Sequence, residues 1–327
     1  MKNPSIFRRL LSLAIAAVVM ITLLGSENAC IDPSGISEYE GVQIGAITYS
    51  WRSMPGSAQD IINYCKEADI HTIELMSDVA ESYAGAPSPS SFSGNFREMT
   101  QEQRAEFRKQ KEEYAAEVSA WRRNTPTAEK YKALRKMFDD AGIRIHIVKF
   151  SPAEWSDEEV DYAFESAKIL GAKGVSNEIG HEACERLGKF AEKHDMYAVF
   201  HNHGQPGQDP DFNFEDFLAY SPRVMLNFDA GHYFGATGKH PNQVIEKLHD
   251  RIFSIHLKDK TGKDGNPPDT NMPWGEGDTP LADILNLIQD NQWNIYCDVE
   301  LEYPIPEGSD AVKETARCVT YARGLLK

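Results

Sequence analysis

Between Val224 and Tyr303, three short apolar runs each end in side chains that can bind a metal. VMLNFD ends in Asp229, with His232 three residues on. IFSIHLKD carries His256 and Lys258, and NIYCDVELEY carries Asp298, Glu300 and Glu302. Just upstream, YAVFHNHG adds His201 and His203. Residues two apart on a strand share one face. His201 and His203 therefore point the same way, as do His256 and Lys258, and as do Asp298, Glu300 and Glu302. Four successive strands end in His, Asp and Glu that can converge. A packed core selects such residues only where something binds them.

Asp229, His256 and Glu300 are the candidate metal ligands, and the mixed His/carboxylate set suits one Mn²⁺, Zn²⁺, Co²⁺ or Mg²⁺ ion. His201 is expected to complete the shell and His203 to contact substrate, unless one of them only supports a ligand by hydrogen bonding. Glu178, ending the fourth strand, is a ligand, a general base or a helix cap. His232, read as a loop residue, is a substrate contact or proton donor, or merely packs the loop. Lys258 either polarises a substrate oxygen or pairs with Glu276 or Glu300, since an unpaired Lys there is costly. Lys149, ending the third strand, has the same two readings. Glu302, further toward the mouth, is a candidate acid/base, and Asp298, deeper, is structural. Glu74, inside the second strand, is expected to hold the network together. Trp51 and Trp274 either wall a sugar ring or pack the core, and Glu276 joins Lys149 as a candidate substrate contact.

The elements that must position these groups alternate regularly. Strand and helix patterns repeat eight times from VQIGAITYSW to SDAVKETARCVTYARGLL, which implies a parallel sheet. Eight such units predict a single-domain (β/α)₈ TIM barrel over residues 41–327, with the site at the strand C-termini. A doubly wound open sheet is the alternative. The glycine signatures of nucleotide-binding versions are absent. The rhythm breaks once, at an insertion after strand 2 over about residues 77–125. It holds the stretch GAPSPSSFSG and the charged run QEQRAEFRKQKEEYAAEVSAWRR. The run reads as a solvated helix, or as a lid beside the mouth. Ser156 and Glu159 form a capping box before the following helix.

The chain has 327 residues and a formal net charge of −16, which disfavours nucleic acid and anionic membranes as partners. Lys2, Arg8 and Arg9 precede an apolar run from Leu10 to Leu24, the layout of a secretory signal. Ala29-Cys30 resembles the end of a bacterial lipobox. Residues 1–30 are thus expected to be a secretory or lipoprotein signal and 31–40 a linker. The protein is expected to be exported, either periplasmic or membrane-anchored through a lipid on Cys30. Cys65, Cys184, Cys297 and Cys318 show no CxxC spacing and read as buried free thiols.

The pieces TIELM, FHNHG, NFDAGH, RIFSIHLKDK, WGEGD and VELEY resemble the xylose isomerase-like TIM barrel superfamily, often labelled sugar phosphate isomerases/epimerases. The resemblance implies one divalent metal held by a Glu, an Asp, a His and a Glu from the last four strands. Asp229, His256 and Glu300 match the last three, and His201 stands where the first Glu falls. That Glu is also an acid/base in the epimerases, so Glu178, His203 or Glu302 would take its role. The implied mechanism is proton removal beside a carbonyl to give a metal-stabilised enediolate. Related AP endonucleases carry a richer multi-zinc set that this sequence lacks. Export and the missing phosphate cradle point to a non-phosphorylated sugar or glycoside. Elimination from a 3-keto-glycoside is the runner-up, and a non-catalytic sugar-binding lipoprotein is a third reading. Whether the chain forms an oligomer is left open.

Overall fold

The computed structural model describes residues 41–88 and 99–327. The expected signal at 1–30, the linker, Cys30 and most of the GAPSPSSFSG stretch lie outside the described residues. β1 (Gln43–Ile47), β2 (Thr72–Met76), β3 (Arg144–Lys149) and β4 (Gly174–Glu178) run in parallel, as do β5 (Tyr197–His201), β6 (Val224–Asp229), β7 (Ile252–Leu257) and β8 (Tyr296–Val299). Each strand pairs with the next, and β8 returns to β1, so the sheet is a closed barrel in sequence order. This is the (β/α)₈ architecture that the alternation predicts.

Helices α1 (Ala58–Glu67), α2 (Ser77–Ala84), α3 (Gln101–Asn124), α4 (Ala128–Asp140), α5 (Asp157–Ile169) and α6 (His181–His194) occupy the first half of the chain. The second half holds the short α7 (Gln205–Gln208) and α8 (Phe214–Leu218), then α9 (Ala230–Thr237), α10 (Asn242–Leu248), α11 (Leu281–Asn291) and α12 (Ala311–Leu325). α1 shows why such segments become helices. Ser57 and Asp60 close a capping box, and Ala58, Ile61, Ile62 and Cys65 form one buried stripe. α5 carries the Ser156–Glu159 capping box that the sequence announces. The four described cysteines are buried free thiols. No helix among the described residues is long and apolar enough to cross a membrane.

The insertion after β2 contributes α2 and α3 before the regular rhythm resumes at α4. α3 is solvated over most of its length, and only Val118 is fully buried. Its C-terminal end is tied down by Arg122. That guanidinium donates to both Glu81 oxygens, at 2.7 and 3.0 Å, and lies 3.5 Å over the Trp155 ring. A bidentate pair plus a stacked aromatic face is a strong anchor for one helix end.

Three local departures matter for the site. Both β2 and β6 carry register shifts, at Ile73/Glu74 and Leu226/Asn227, which re-aim the residues that follow. β8 ends at Val299, so Glu300 and Glu302 stand just beyond the strand. His232 is not in a loop: it sits in the first turn of α9, whose N-cap is Asp229. The Asp229 side chain accepts from the His232 backbone N–H at 2.6 Å. Gly231 and Gly235 make NFDAGHYFG read as a loop, although the Asp229 cap overrides that weak propensity.

Below the mouth the barrel holds a second polar layer. His146 Nε2 lies 2.8 Å from Asp298 Oδ2, and Thr72 Oγ1 lies 2.9 Å from His146 Nδ1. The layer is compact because Gly45, paired with Asp298, has no side chain. A Cβ on Gly45 would fall 2.4 Å from Asp298 Oδ1 and 2.7 Å from the Thr72 carbonyl oxygen. Gly45→Ala is therefore expected to destabilise the protein by about 1–3 kcal/mol. Gly56→Ala, with nothing within 4 Å of its added Cβ, is expected to change stability by less than about 0.5 kcal/mol. Urea midpoints of the two variants check the contrast.

Candidate active site

Four side chains meet at the C-terminal mouth of the barrel. His201 ends β5, Asp229 ends β6, His256 lies in β7, and Glu300 follows β8. All four are buried, and one donor atom from each lies within 4.8 Å of the others. His201 Nε2 is 3.2 Å from Asp229 Oδ2 and 3.8 Å from Glu300 Oε2. His256 Nδ1 is 2.7 Å from Glu300 Oε2 and 4.0 Å from Asp229 Oδ2. Such edge lengths suit two nitrogens and two oxygens around one divalent ion with bonds of about 2.0–2.2 Å. The chemistry of the donor set fits such an ion.

Glu74 holds this group from below. Its Oε2 lies 2.7 Å from His256 Nε2, the ring nitrogen turned away from the other donors. It also accepts from Asn227 Nδ2 at 2.8 Å, while Glu74 Oε1 accepts from Ser176 Oγ at 2.5 Å. Asn227 is fixed in turn by Ser254, which donates to its Oδ1 at 2.8 Å. A His whose far nitrogen donates to a carboxylate has its ring orientation and ligating lone pair set in advance.

Burial alone would push the Glu74, Asp229 and Glu300 carboxyls up. Neighbouring cations outweigh it. Beside His256, Glu74 is held down to about 2. Lys258, assisted by His232 and His201, holds Asp229 well below the usual range, and Lys258 with His256 does the same for Glu300. The reciprocal holds for the cations. Burial opposes charge on His256, yet Glu300 and Glu74 raise it well above its ordinary value. Lys258, only 2% exposed, is raised against its own burial by Asp229, Glu300 and Glu302. Its Nζ lies 2.9 Å from Asp229 Oδ2, 2.9 Å from Glu300 Oε2 and 2.7 Å from Glu302 Oε2.

Titratable side chains flank the four donors on two sides. On one side Glu178 Oε2 lies 3.2 Å from His201 Nδ1 and 3.1 Å from His203 Nδ1. Lys149 Nζ holds the other Glu178 oxygen at 2.5 Å. Burial pushes the Glu178 carboxyl up, but His201, His203 and Lys149 hold it far below the carboxylate range. The hydrogen bond to Glu178 raises His203 against partial burial. On the other side His232 Nε2 is 3.5 Å from Glu302 Oε2. Burial, with Lys258 and Lys260 nearby, pushes His232 down to about 4 despite the opposing Asp229 and Glu302.

The structure thus brings together Glu178, His201, His203, Asp229, His232, His256, Lys258, Glu300, Glu302 and Lys149. Other expected residues have different surroundings. Trp51 is 1% exposed and packs in the core against Tyr64, so it offers no face to a sugar ring. It lies in a short 3₁₀ segment, Thr48–Trp51, directly after β1. Trp274 is half-buried edge-on to Tyr321 of α12. Glu276 is exposed in the loop after β7, and Lys258 pairs with Asp229, Glu300 and Glu302 instead. Asp298 lies in the deeper layer, as its position on β8 implies. Lys260, Asn227 and His146 escaped the sequence reading. Lys260 had a signal, since it continues the two-residue spacing of His256 and Lys258.

Residues 177–321, which carry β5 to β8 and all four donors, match the family model described as xylose isomerase-like TIM barrel. The chain has the xylose isomerase-like TIM barrel fold. Solved structures agree. A probable 3-DHS dehydratase from Bacillus anthracis is 14% identical with a TM-score of 0.57, covering 85% of this chain and 98% of its own. A sugar phosphate isomerase/epimerase from Parabacteroides distasonis ATCC 8503 is 19% identical with a TM-score of 0.53, covering 86% and 95%. An L-ribulose 3-epimerase is 11% identical with a TM-score of 0.51, covering 86% and 96%. At such identities the likeness is one of fold. No curated protein matches the chain by sequence.

The Glu74 network has a pH signature. A buried carboxyl held at about 2, against an ordinary 4.5, stabilises the fold fully above pH 4.5 and loses that contribution as pH falls toward 2. Glu74→Gln is expected to cost about 3 kcal/mol near pH 6, with the gap to wild type closing on acidification. Urea unfolding of both proteins between pH 6 and 2 measures it.

Proposed function

We propose that this chain is an exported, divalent-metal-dependent enzyme of the isomerase/epimerase type that moves a proton beside the carbonyl of a non-phosphorylated keto-sugar. The observation that carries the reading is the convergence of two imidazoles and two carboxylates at the barrel mouth, flanked on both sides by proton-handling groups. A divalent ion held by His201, Asp229, His256 and Glu300 would supply positive charge that polarises a carbonyl and steadies the enediolate left by proton loss. Export is read from the Lys/Arg-flanked apolar run at the N-terminus.

The chain's own residues divide the remaining work. Glu178 and Glu302 are partly exposed carboxylates at the mouth, one on each side of the donors. Each is steadied by a lysine, Lys149 or Lys258, and each is placed to accept a proton from a substrate carbon or return one. Together they offer the two-sided exchange that His201 cannot perform as a carboxylate. His232, held neutral near pH 7, is a hydrogen-bond donor for a substrate hydroxyl or carbonyl beside Glu302. Burial excludes bulk water from Asp229, His256 and Lys258, which strengthens every charge interaction around a bound sugar.

His201 at the position where the resemblance expects a Glu favours a second reading. With one acid/base carboxylate displaced, proton removal could be followed by loss of a leaving group, as in cleavage of a 3-keto-glycoside. The fold neighbours carry names of both kinds, an epimerase and a probable dehydratase.

The test is turnover in D₂O, followed by NMR, on panels of keto-sugars and 3-keto-glycosides. One solvent deuterium in an otherwise intact sugar is expected, and Glu302→Gln is expected to slow its entry at least about 100-fold. A released aglycone with an unsaturated sugar would replace the first reading with the second. Saturable sugar binding without exchange or cleavage would overturn both.

A further inference from the structure

The mouth contains a second buried lysine that the proposed chemistry does not use. Lys260 follows β7, is 3% exposed, and has a closely held backbone. Its N–H donates to Thr279 Oγ1 at 3.0 Å, and its carbonyl accepts from Asp278 at 2.8 Å. It also pairs with Asn271 in an isolated antiparallel bridge. The loop between β7 and α11 is thereby folded back on itself. Asp259 reinforces it by accepting three backbone N–H bonds, from Gly275, Gly277 and Thr279.

The Lys260 side chain meets Asp269 and His232. Its Nζ lies 2.6 Å from Asp269 Oδ1 and 3.3 Å from His232 Nδ1. Asp269 comes from the tip of the same loop and reaches Lys260 past Gly235 of α9. Any side chain at 235 would block it, since an added Cβ would meet Asp269 Oδ1 at 2.1 Å and Lys260 Cε at 3.0 Å. A Lys paired with a carboxylate is an ammonium, which has protons to donate and no lone pair to accept with. The hydrogen bond to His232 Nδ1 therefore requires that nitrogen to be unprotonated. A neutral His232 then carries its proton on Nε2, which lies on the side of Glu302, 3.5 Å from Oε2.

We propose that Lys260, anchored by Asp269, is a positioning residue that fixes His232 as the Nε2–H tautomer and aims that proton at Glu302 and the substrate beside it. The inference rests on the proposed function only for what the proton does in turnover. The tautomer itself is a property of the folded chain. The loop after β7 thus acts as a clasp that sets the chemical state of a side chain on another element, as ligand partners set histidine tautomers elsewhere.

The experiment is ¹⁵N NMR of the histidine-labelled full chain with Zn²⁺ present, with the His232 signals assigned from their loss in His232→Gln. Wild type is expected to show an unprotonated Nδ1 and a protonated Nε2. Lys260→Met is expected to mix the tautomers, and Lys260→Arg to restore one. Should Lys260→Met fail to fold, the wild-type spectrum alone still tests the assignment of the proton to Nε2. A proton on Nδ1 in wild type, or an unchanged pattern in the folded variant, overturns the proposal. With a substrate in hand, Lys260→Met is expected to lower kcat about 10- to 100-fold with KM nearly unchanged. A shifted tautomer with unaltered kcat would overturn the role in turnover. Wild type inactive on every substrate, yet with the expected tautomer, would sink the proposed function and leave the positioning of His232 standing.

Discussion

Three fully buried or nearly buried carboxylates, Glu74, Asp229 and Glu300, set the terms for this molecule. An isolated carboxylate in such surroundings would take up a proton rather than stay charged. Here they stay ionised because His256 and Lys258 are buried among them. Removing either partner would leave charge without compensation, a loss that typically costs several kcal/mol. A protein does not concentrate such groups for stability, because well-packed apolar side chains would serve that purpose as well or better. The arrangement supports the proposal that these carboxylates serve binding, and the two histidines among them suit a cation that accepts nitrogen as well as oxygen donors.

The fold separates support from chemistry by depth. In the lower layer His146, Asp298 and Thr72 bond to one another across β3, β8 and β2, where only Gly45 leaves room. Glu74 forms the next level and orients His256. Above it stand the four donors, and at the rim the groups that can carry protons. Each level restricts the side-chain freedom of the one above it. A site held to a few tenths of an ångström needs such backing.

Much of this was legible in the sequence, for a physical reason. Strand side chains alternate, so His and acids two apart at the ends of apolar runs must share the inward face. His201, Asp229, His256 and Glu300 could thus be grouped before any coordinates. The barrel followed from the eightfold alternation. Other features could not be read, because they depend on contacts made only in three dimensions. Glu74 and His256 are 182 residues apart, and nothing local links them. Asp269 reaches Lys260 because a loop folds back and Gly235 leaves room for it. Trp51 admitted two readings, a sugar wall or core packing, and only its burial in the fold decides for the core. His232 looked like a loop residue because glycines hid a helix whose cap is Asp229 itself.

The proposed chemistry depends on the four converging donors, and metal analysis of the purified chain tests them most directly. Content would be measured before and after chelation, with Mn²⁺ or Zn²⁺ added back, for wild type and His256→Ala. One divalent ion per chain is expected in wild type, removed by chelation, regained on addition and absent from the variant. A folded wild-type protein that holds no ion and takes none up, or a variant that binds as well as wild type, would contradict that chemistry.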